Sequence, residues 1–161
     1  MIRMASIKDA GDIAGIYNDY IARTVITFEE REVTASEMAH RINEVLSASL
    51  PWLVAHRSGQ VTGYAYANTW KTRSAYRFSV ETAVYINPDN MGEGLGSELY
   101  EALFAALRER GVHVAVAGIA LPNERSIALH EKFGLRKVAH FEEVGFKFGK
   151  WIDVGYWQKV L

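Results

Sequence analysis

The stretch Asn87-Pro88-Asp89-Asn90-Met91-Gly92-Glu93-Gly94-Leu95-Gly96-Ser97-Glu98-Leu99-Tyr100 limits the possible folds more than any other part of the chain. The alternating run Val80-Glu81-Thr82-Ala83-Val84-Tyr85-Ile86 leads in, and Leu95, Leu99, Leu103, Ala106 and Leu107 lead out at helical spacing. The order is strand, glycine loop, helix. Glycines at 92, 94 and 96 remove Cβ atoms where a ligand would approach the backbone, and the helix opens with N–H groups that lack intrahelical acceptors. Phosphate is the usual occupant of such a place. A P-loop needs Lys followed by Ser or Thr after its last glycine, and Ser97-Glu98 rules that out. A dinucleotide loop needs a third glycine at 97 or 99, where Ser97 and Leu99 stand, so that match is weak. A glycine-rich turn without a ligand stays open on these residues alone.

The 161 residues predict a single domain, 1–161. A formal charge of −1 offers no basic field for nonspecific nucleic-acid binding. With no cysteine there is neither a disulfide framework nor a thiolate nucleophile. The five histidines have no zinc spacing, so no metal is expected. No apolar run is long enough to span a bilayer, and the N-terminus has no signal pattern, so the expectation is a cytoplasmic protein without membrane partners.

In chain order, Ile2 to Ala5 reads as a short strand, and Ser6-x-x-Asp9 opens a helix carrying Ile13, Ile16, Tyr17 and Tyr20. Thr34-x-x-Glu37 opens a second helix with Met38, Ile42, Val45 and Leu46 on one side. Residues 52–56 and 61–70 flank Ser58-Gly59 as a hairpin, and the strand ending at Ile86 makes three antiparallel strands in a row. Gly111 stops the helix after the glycine loop. Val112 to Ile119 follows as a nearly continuous apolar strand, as expected when both faces are covered. Pro122-Asn123 starts a helix capped by Gly134, and residues 137–141 and 151–160 supply two last strands.

The order β-α-α-β-β-β-α-β-α-β-β is that of the GNAT superfamily of N-acetyltransferases, and Met91-Gly92-Glu93-Gly94-Leu95-Gly96 resembles its acyl-CoA loop, Gln/Arg-x-x-Gly-x-Gly/Ala. Met91 departs from the polar first position, and Gly92 stands where Arg is frequent, so charge assistance to the pyrophosphate is missing there. Almost the whole chain resembles the phosphinothricin N-acetyltransferase branch, which includes enzymes acetylating methionine sulfone and sulfoximine. Ile16-Tyr17-Asn18, Thr82-Ala83-Val84-Tyr85-Ile86, Gly94-Leu95-Gly96-Ser97, Leu121-Pro122-Asn123, Leu129-His130-Glu131 and the run 145–155 carry that resemblance. It implies a single-domain α/β (α+β) acyl-CoA N-acetyltransferase fold with a mixed, mostly antiparallel sheet of six to seven strands flanked by four helices.

The implied reaction is direct acyl transfer from acetyl-CoA to an amine, which must lose a proton before it attacks. The resemblance assigns Glu81 as base and puts His130 near the CoA sulfur; sequence does not decide which of the two is the base. Tyr85 reads equally as an aid to substrate or proton and as a packed strand aromatic. Val84, Tyr85 and Ile86 are expected along the pantetheine arm, residues Met91, Gly92, Glu93, Gly94, Leu95, Gly96 and Ser97 at the pyrophosphate, and Asn123 at the pantetheine or serving as a helix cap. Lys132 reads most simply as a solvated helix lysine. For the acceptor, Lys71, Arg73 and Tyr76 match positions that hold the anionic end of an amino acid, while Phe28 and Val154 match apolar walls. The expected acceptor is a free amino acid with an oxidised or phosphinate side chain. Acetylation of a polyamine or a protein N-terminus, or acyl-CoA binding without catalysis, are the alternatives. The resemblance also implies a homodimer, with Trp151 to Trp157 either facing a partner or buried in the chain's own core.

Overall fold

The computed structural model describes residues 1–161. Its elements are β1 (Ile2–Met4), α1 (Ala10–Arg23), α2 (Ala35–Ser47), β2 (Trp52–Arg57), β3 (Gln60–Thr69), β4 (Ser79–Ile86), α3 (Leu95–Glu109), β5 (Val114–Ala120), α4 (Glu124–Lys132), β6 (Arg136–Lys147) and β7 (Lys150–Val160). Local chemistry sets several boundaries. Asp9 accepts from the Ser6 amide at 2.8 Å ahead of α1, and Thr34 caps α2 by accepting from the Glu37 amide at 3.1 Å. No helix is long and apolar enough to cross a membrane.

One seven-stranded sheet has the order β1-β2-β3-β4-β5-β7-β6. Every neighbouring pair is antiparallel except β4 and β5. Side-chain alternation splits the core between the two faces. On one face Leu53, Ala55, Ala65, Ala115 and Ala117 pack under Leu99, Leu103 and Leu107 of α3. On the other, Trp52, Val54 and Tyr64 pack under Ile13 and Tyr17 of α1 and Met38 and Ile42 of α2. That second cluster draws its strand residues from β2 and β3. The half of this face formed by β5, β7 and β6 is left open.

Two sequence expectations change. β5 is not covered on both faces: Ala115, Ala117 and Ile119 enter the core, whereas Val114, Val116, Gly118 and Ala120 line a cavity. β6 does not stop at 141 but runs to Lys147, with a register shift between Phe141 and Gly145 where Glu143 takes a positive φ of 52°. The aromatic tail divides between the two environments considered for it: Trp157 is buried in the α3-side core and Trp151 is exposed.

Candidate active site

The parallel pair β4/β5 is short. Ser79, Val80 and Glu81 pair with Val114, Ala115 and Val116, and beyond them the strands have no further pairing. This splay leaves the β5-facing edge of β4 from Thr82 onward without a strand partner, which suits addition of an extended ligand. The Ile86 carbonyl accepts from the Tyr20 hydroxyl at 2.7 Å.

On the α3 face, a cleft of about 310 Å³ follows the splay. Val84, Ile86, Met91, Gly92, Gly94, Leu95, Gly96, Ser97 and Asn123 line it. Gly92 and Gly94 take φ of 84° and 78°, a region that only glycine enters without strain. The N–H groups of residues 92–96 have no acceptor within the chain, so the loop and the start of α3 present a row of free donors. Asn123 accepts from the Ser126 amide at 3.2 Å, capping α4 while still lining the cleft. Glu93 lies outside the lining, and its carboxylate pairs with Arg57.

Lys132, read as a solvated lysine, donates from Nζ to Ser97 Oγ at 2.9 Å. Leu129 of the same helix packs beside Gly96, where a Cβ would meet its Cδ2 at 3.4 Å. Arg125 lines the same cleft. Cationic charge missing at 91 and 92 therefore arrives from α4, a contact across 35 residues that no local spacing signals.

On the open half of the opposite face is a cavity of about 760 Å³. Glu81, Lys71, Tyr85, Phe28 and Val154 line it, together with Trp70, Gly118 and Tyr156, which sequence reasoning missed. Alternation along β5 and β7 carried the missed signal: Gly118 and Tyr156 are cross-strand partners. Glu81 Oε1 lies against Gly118, where a Cβ would sit 3.4 Å from it. Burial raises the Glu81 pKa above the ordinary carboxylate value, and the Lys71 charge opposes part of that rise. Arg73 and Tyr76 are not in the lining; Tyr76 packs edge-on against Trp70 at 5.4 Å. Tyr85 sits among Tyr17, Tyr20 and Tyr64, at ring distances of 5.1 to 5.3 Å, and its burial raises its pKa well above the usual value.

A slot of about 60 Å³ lies in the splay, lined by Thr82, Val84, Tyr85, Gly118, Asn123 and His130 among others. His130 is buried. Its Nδ1 lies 2.6 Å from the Ser126 carbonyl, which can only accept, so Nδ1 carries the proton. Nε2 is then the acceptor for the Tyr100 hydroxyl at 2.8 Å, and that hydroxyl lies 3.3 Å from Thr82 Oγ1. Burial lowers the His130 pKa, favouring the neutral ring. No group of three or more His, Asp or Glu side chains could hold a metal ion.

The strand splay with its glycine loop, Asn123 cap and facing carboxylate corresponds to a known family. Residues 2–155 match the acetyltransferase (GNAT) domain. The chain belongs to the GNAT acetyltransferases. Among its GNAT relatives, the phosphinothricin N-acetyltransferase of Streptomyces viridochromogenes is 39% identical over 158 residues, covering 98% of this chain and 86% of that one. The L-methionine sulfoximine/L-methionine sulfone acetyltransferase of Salmonella typhimurium is 36% identical, covering 99% and 94%. The crystal structure of a GNAT superfamily phosphinothricin acetyltransferase from Sinorhizobium meliloti in complex with acetyl-CoA superposes with a TM-score of 0.97 at 34% identity, covering 100% of this chain and 88% of that one. GNAT membership makes the chain an acetyl-CoA-dependent N-acetyltransferase.

Proposed function

We propose that this protein moves the acetyl group of acetyl-CoA to the amino group of a small amino acid such as L-phosphinothricin, methionine sulfone or methionine sulfoximine, by direct attack within a ternary complex. One observation carries the reading: a cleft of free backbone donors on one sheet face and a cavity holding Glu81 and Lys71 on the other, with the splay slot between them. The activities of these relatives support the acceptor class.

In this reading acetyl-CoA lies in the α3-face cleft. Its pyrophosphate meets the 92–97 loop, with Lys132 supplying charge. The pantetheine arm follows the free edge of β4 past Val84, bringing the thioester to the slot. The acceptor occupies the opposite cavity, with Lys71 at its carboxylate or oxidised end and Phe28 and Val154 as apolar walls.

Glu81 is the base. It is the carboxylate in the cavity lining, and its raised pKa brings it closer to that of an ammonium donor. The ammonium proton passes to Glu81, the free amine attacks the thioester carbon, and the tetrahedral intermediate collapses with cleavage of the C–S bond, the second proton on the nitrogen passing to the departing CoA thiolate. A thiol with a pKa of about 8.5 leaves without a strong acid. His130, with both ring nitrogens engaged, fixes the Tyr100 hydroxyl beside the slot.

Exposed Val144, Phe146, Phe148 and Trp151 form an apolar patch on the β6–β7 hairpin, which supports a homodimer through this face. Dependence on acetyl-CoA fits a cytoplasmic enzyme. Thiol release from acetyl-CoA, measured with phosphinothricin, methionine sulfone, methionine sulfoximine, ordinary amino acids and polyamines, tests the reading. Turnover confined to the first three is expected. Turnover confined to polyamines would overturn it.

A further inference from the structure

The segment between α1 and α2 has no strand or helix of its own, yet Ile26, Thr27 and Phe28 wall the cavity proposed for the acceptor. Three consecutive residues of this segment are held, each by a different set of contacts. Thr27 Oγ1 is bonded to the Tyr17 hydroxyl of α1 at 2.7 Å. Glu29 accepts from Arg41 of α2 at 2.6 and 2.8 Å, and also from the Tyr17 hydroxyl. The remaining holds come from β6, whose Val138, Ala139, Phe141 and Val144 line the same cavity. Lys147 Nζ donates to the Thr27 carbonyl at 2.8 Å, and the Phe28 ring lies so close over Gly145 that any Cβ there would overlap it.

Strand alternation explains how one strand does this. Gly145 and Lys147 turn inward and are buried, while Val144 and Phe146 are exposed at 59% and 55%. Lys147 is only 1% exposed, and its one hydrogen bond is to a carbonyl, with no carboxylate in direct contact. An ammonium is costly to desolvate, so placing one here is a poor choice for simple packing.

We infer that Lys147 and Gly145 position the acceptor wall: together they clasp Thr27 and Phe28 from β6 and hold that wall in place, whereas the segment meets the acetyl-CoA cleft through Ile26. This rests on reading the cavity as the acceptor site. Lys147 touches no reacting atom in this arrangement and is a positioning residue.

The test compares Lys147→Met, which keeps chain length and loses the donor, with Gly145→Ala, which displaces Phe28 without disturbing a buried charge. A hydrogen bond from a charged donor is worth about a factor of ten, so the methionine sulfone KM should rise about tenfold in Lys147→Met while the acetyl-CoA KM stays within about twofold. Lys147→Arg should restore part of the loss. Amide hydrogen exchange supplies a readout free of any substrate: exchange at residues 26–29 should speed up in both variants, with α3 unchanged. An unchanged acceptor KM in folded Lys147→Met, or an acetyl-CoA KM raised by the same factor, would overturn the inference. If Lys147→Met does not fold, an unchanged acceptor KM in Gly145→Ala overturns it equally. Faster exchange at 26–29 in an enzyme that acetylates none of the amino acids would instead sink the acceptor reading, because the clasp would then hold a wall that faces no acceptor.

Discussion

The Tyr100 hydroxyl donates to His130 Nε2 at 2.8 Å, while His130 Nδ1 is committed to the Ser126 carbonyl. With both nitrogens engaged and burial favouring the neutral ring, His130 has no free lone pair to take a proton from an amine. This geometry supports the proposal that Glu81, rather than His130, is the base, a choice open on sequence alone. Tyr100→Phe removes the donor but keeps the ring, and should lower kcat about tenfold with both KM values nearly unchanged. His130→Ala, which leaves that hydroxyl unpositioned, should lower it by at least as much. A Tyr100→Phe enzyme with wild-type kcat would show that the hydroxyl has no part in turnover.

The raised Glu81 pKa fixes the sign of the pH dependence. The carboxylate is the active form, so kcat/KM should climb as pH rises through the shifted pKa, with the acid limb above the ordinary glutamate value of about 4.3. Glu81→Gln should abolish that limb and reduce kcat about 100-fold or more. Retention of the same limb in the variant would assign it to another group.

Lys71 and Arg73 should separate. Lys71 lines the cavity and its charge acts on Glu81, whereas Arg73 lies outside the lining. Lys71→Ala should raise the acceptor KM about tenfold. It should also move the acid limb to higher pH, because the charge opposing the Glu81 shift is gone. Arg73→Ala should change the acceptor KM less than about threefold. Equal effects from the two would point to a rearranged loop in the ternary complex.

Lys132 reaches Ser97 beside the free amides of the glycine loop. Lys132→Ala should raise the acetyl-CoA KM about tenfold. With acetyl-pantetheine, which lacks the pyrophosphate, wild type and variant should be indistinguishable; a persisting difference would place the role of Lys132 elsewhere.

Asp9 accepts from Arg3 at 2.7 and 2.9 Å, and that pairing lowers its pKa to about 2 from 3.8. A depressed carboxylate stabilises the fold above its unfolded pKa, and the contribution is lost as pH falls from about 3.8 through about 2. Its size is about 1 to 2 kcal/mol, the lower figure allowing for solvent screening at the partly exposed Arg3. Arg3→Ala should lower the melting temperature at neutral pH, and the gap from wild type should close as pH approaches 2. A gap independent of pH would assign the loss to packing.

Much of the fold was legible because its signals are local. The Thr34 cap, the alternation from Val80 to Ile86 and the 3.6-residue period from Leu95 to Leu107 depend only on neighbours in the chain, and each element forms where those signals stand. The end of β6 was missed for the same reason: its bulge between Phe141 and Gly145 interrupts the alternation that marks a strand.

The site was legible in part and not as an arrangement: Glu81 and Lys71 line the cavity, Arg73 and Tyr76 do not, and Trp70, Gly118 and Tyr156 were missed. Sequence by itself determined the order of elements, the glycine loop with its free donors, and the presence of Glu81 on the strand leading into it. Tertiary structure alone decided that β4 and β5 part after Glu81, that Lys132 meets Ser97 across 35 residues, and that Lys147 meets Thr27 across 120. The division has a physical cause. Backbone geometry fixes which near neighbours share a face, whereas contacts between distant residues exist only once packed helices and paired strands bring them together.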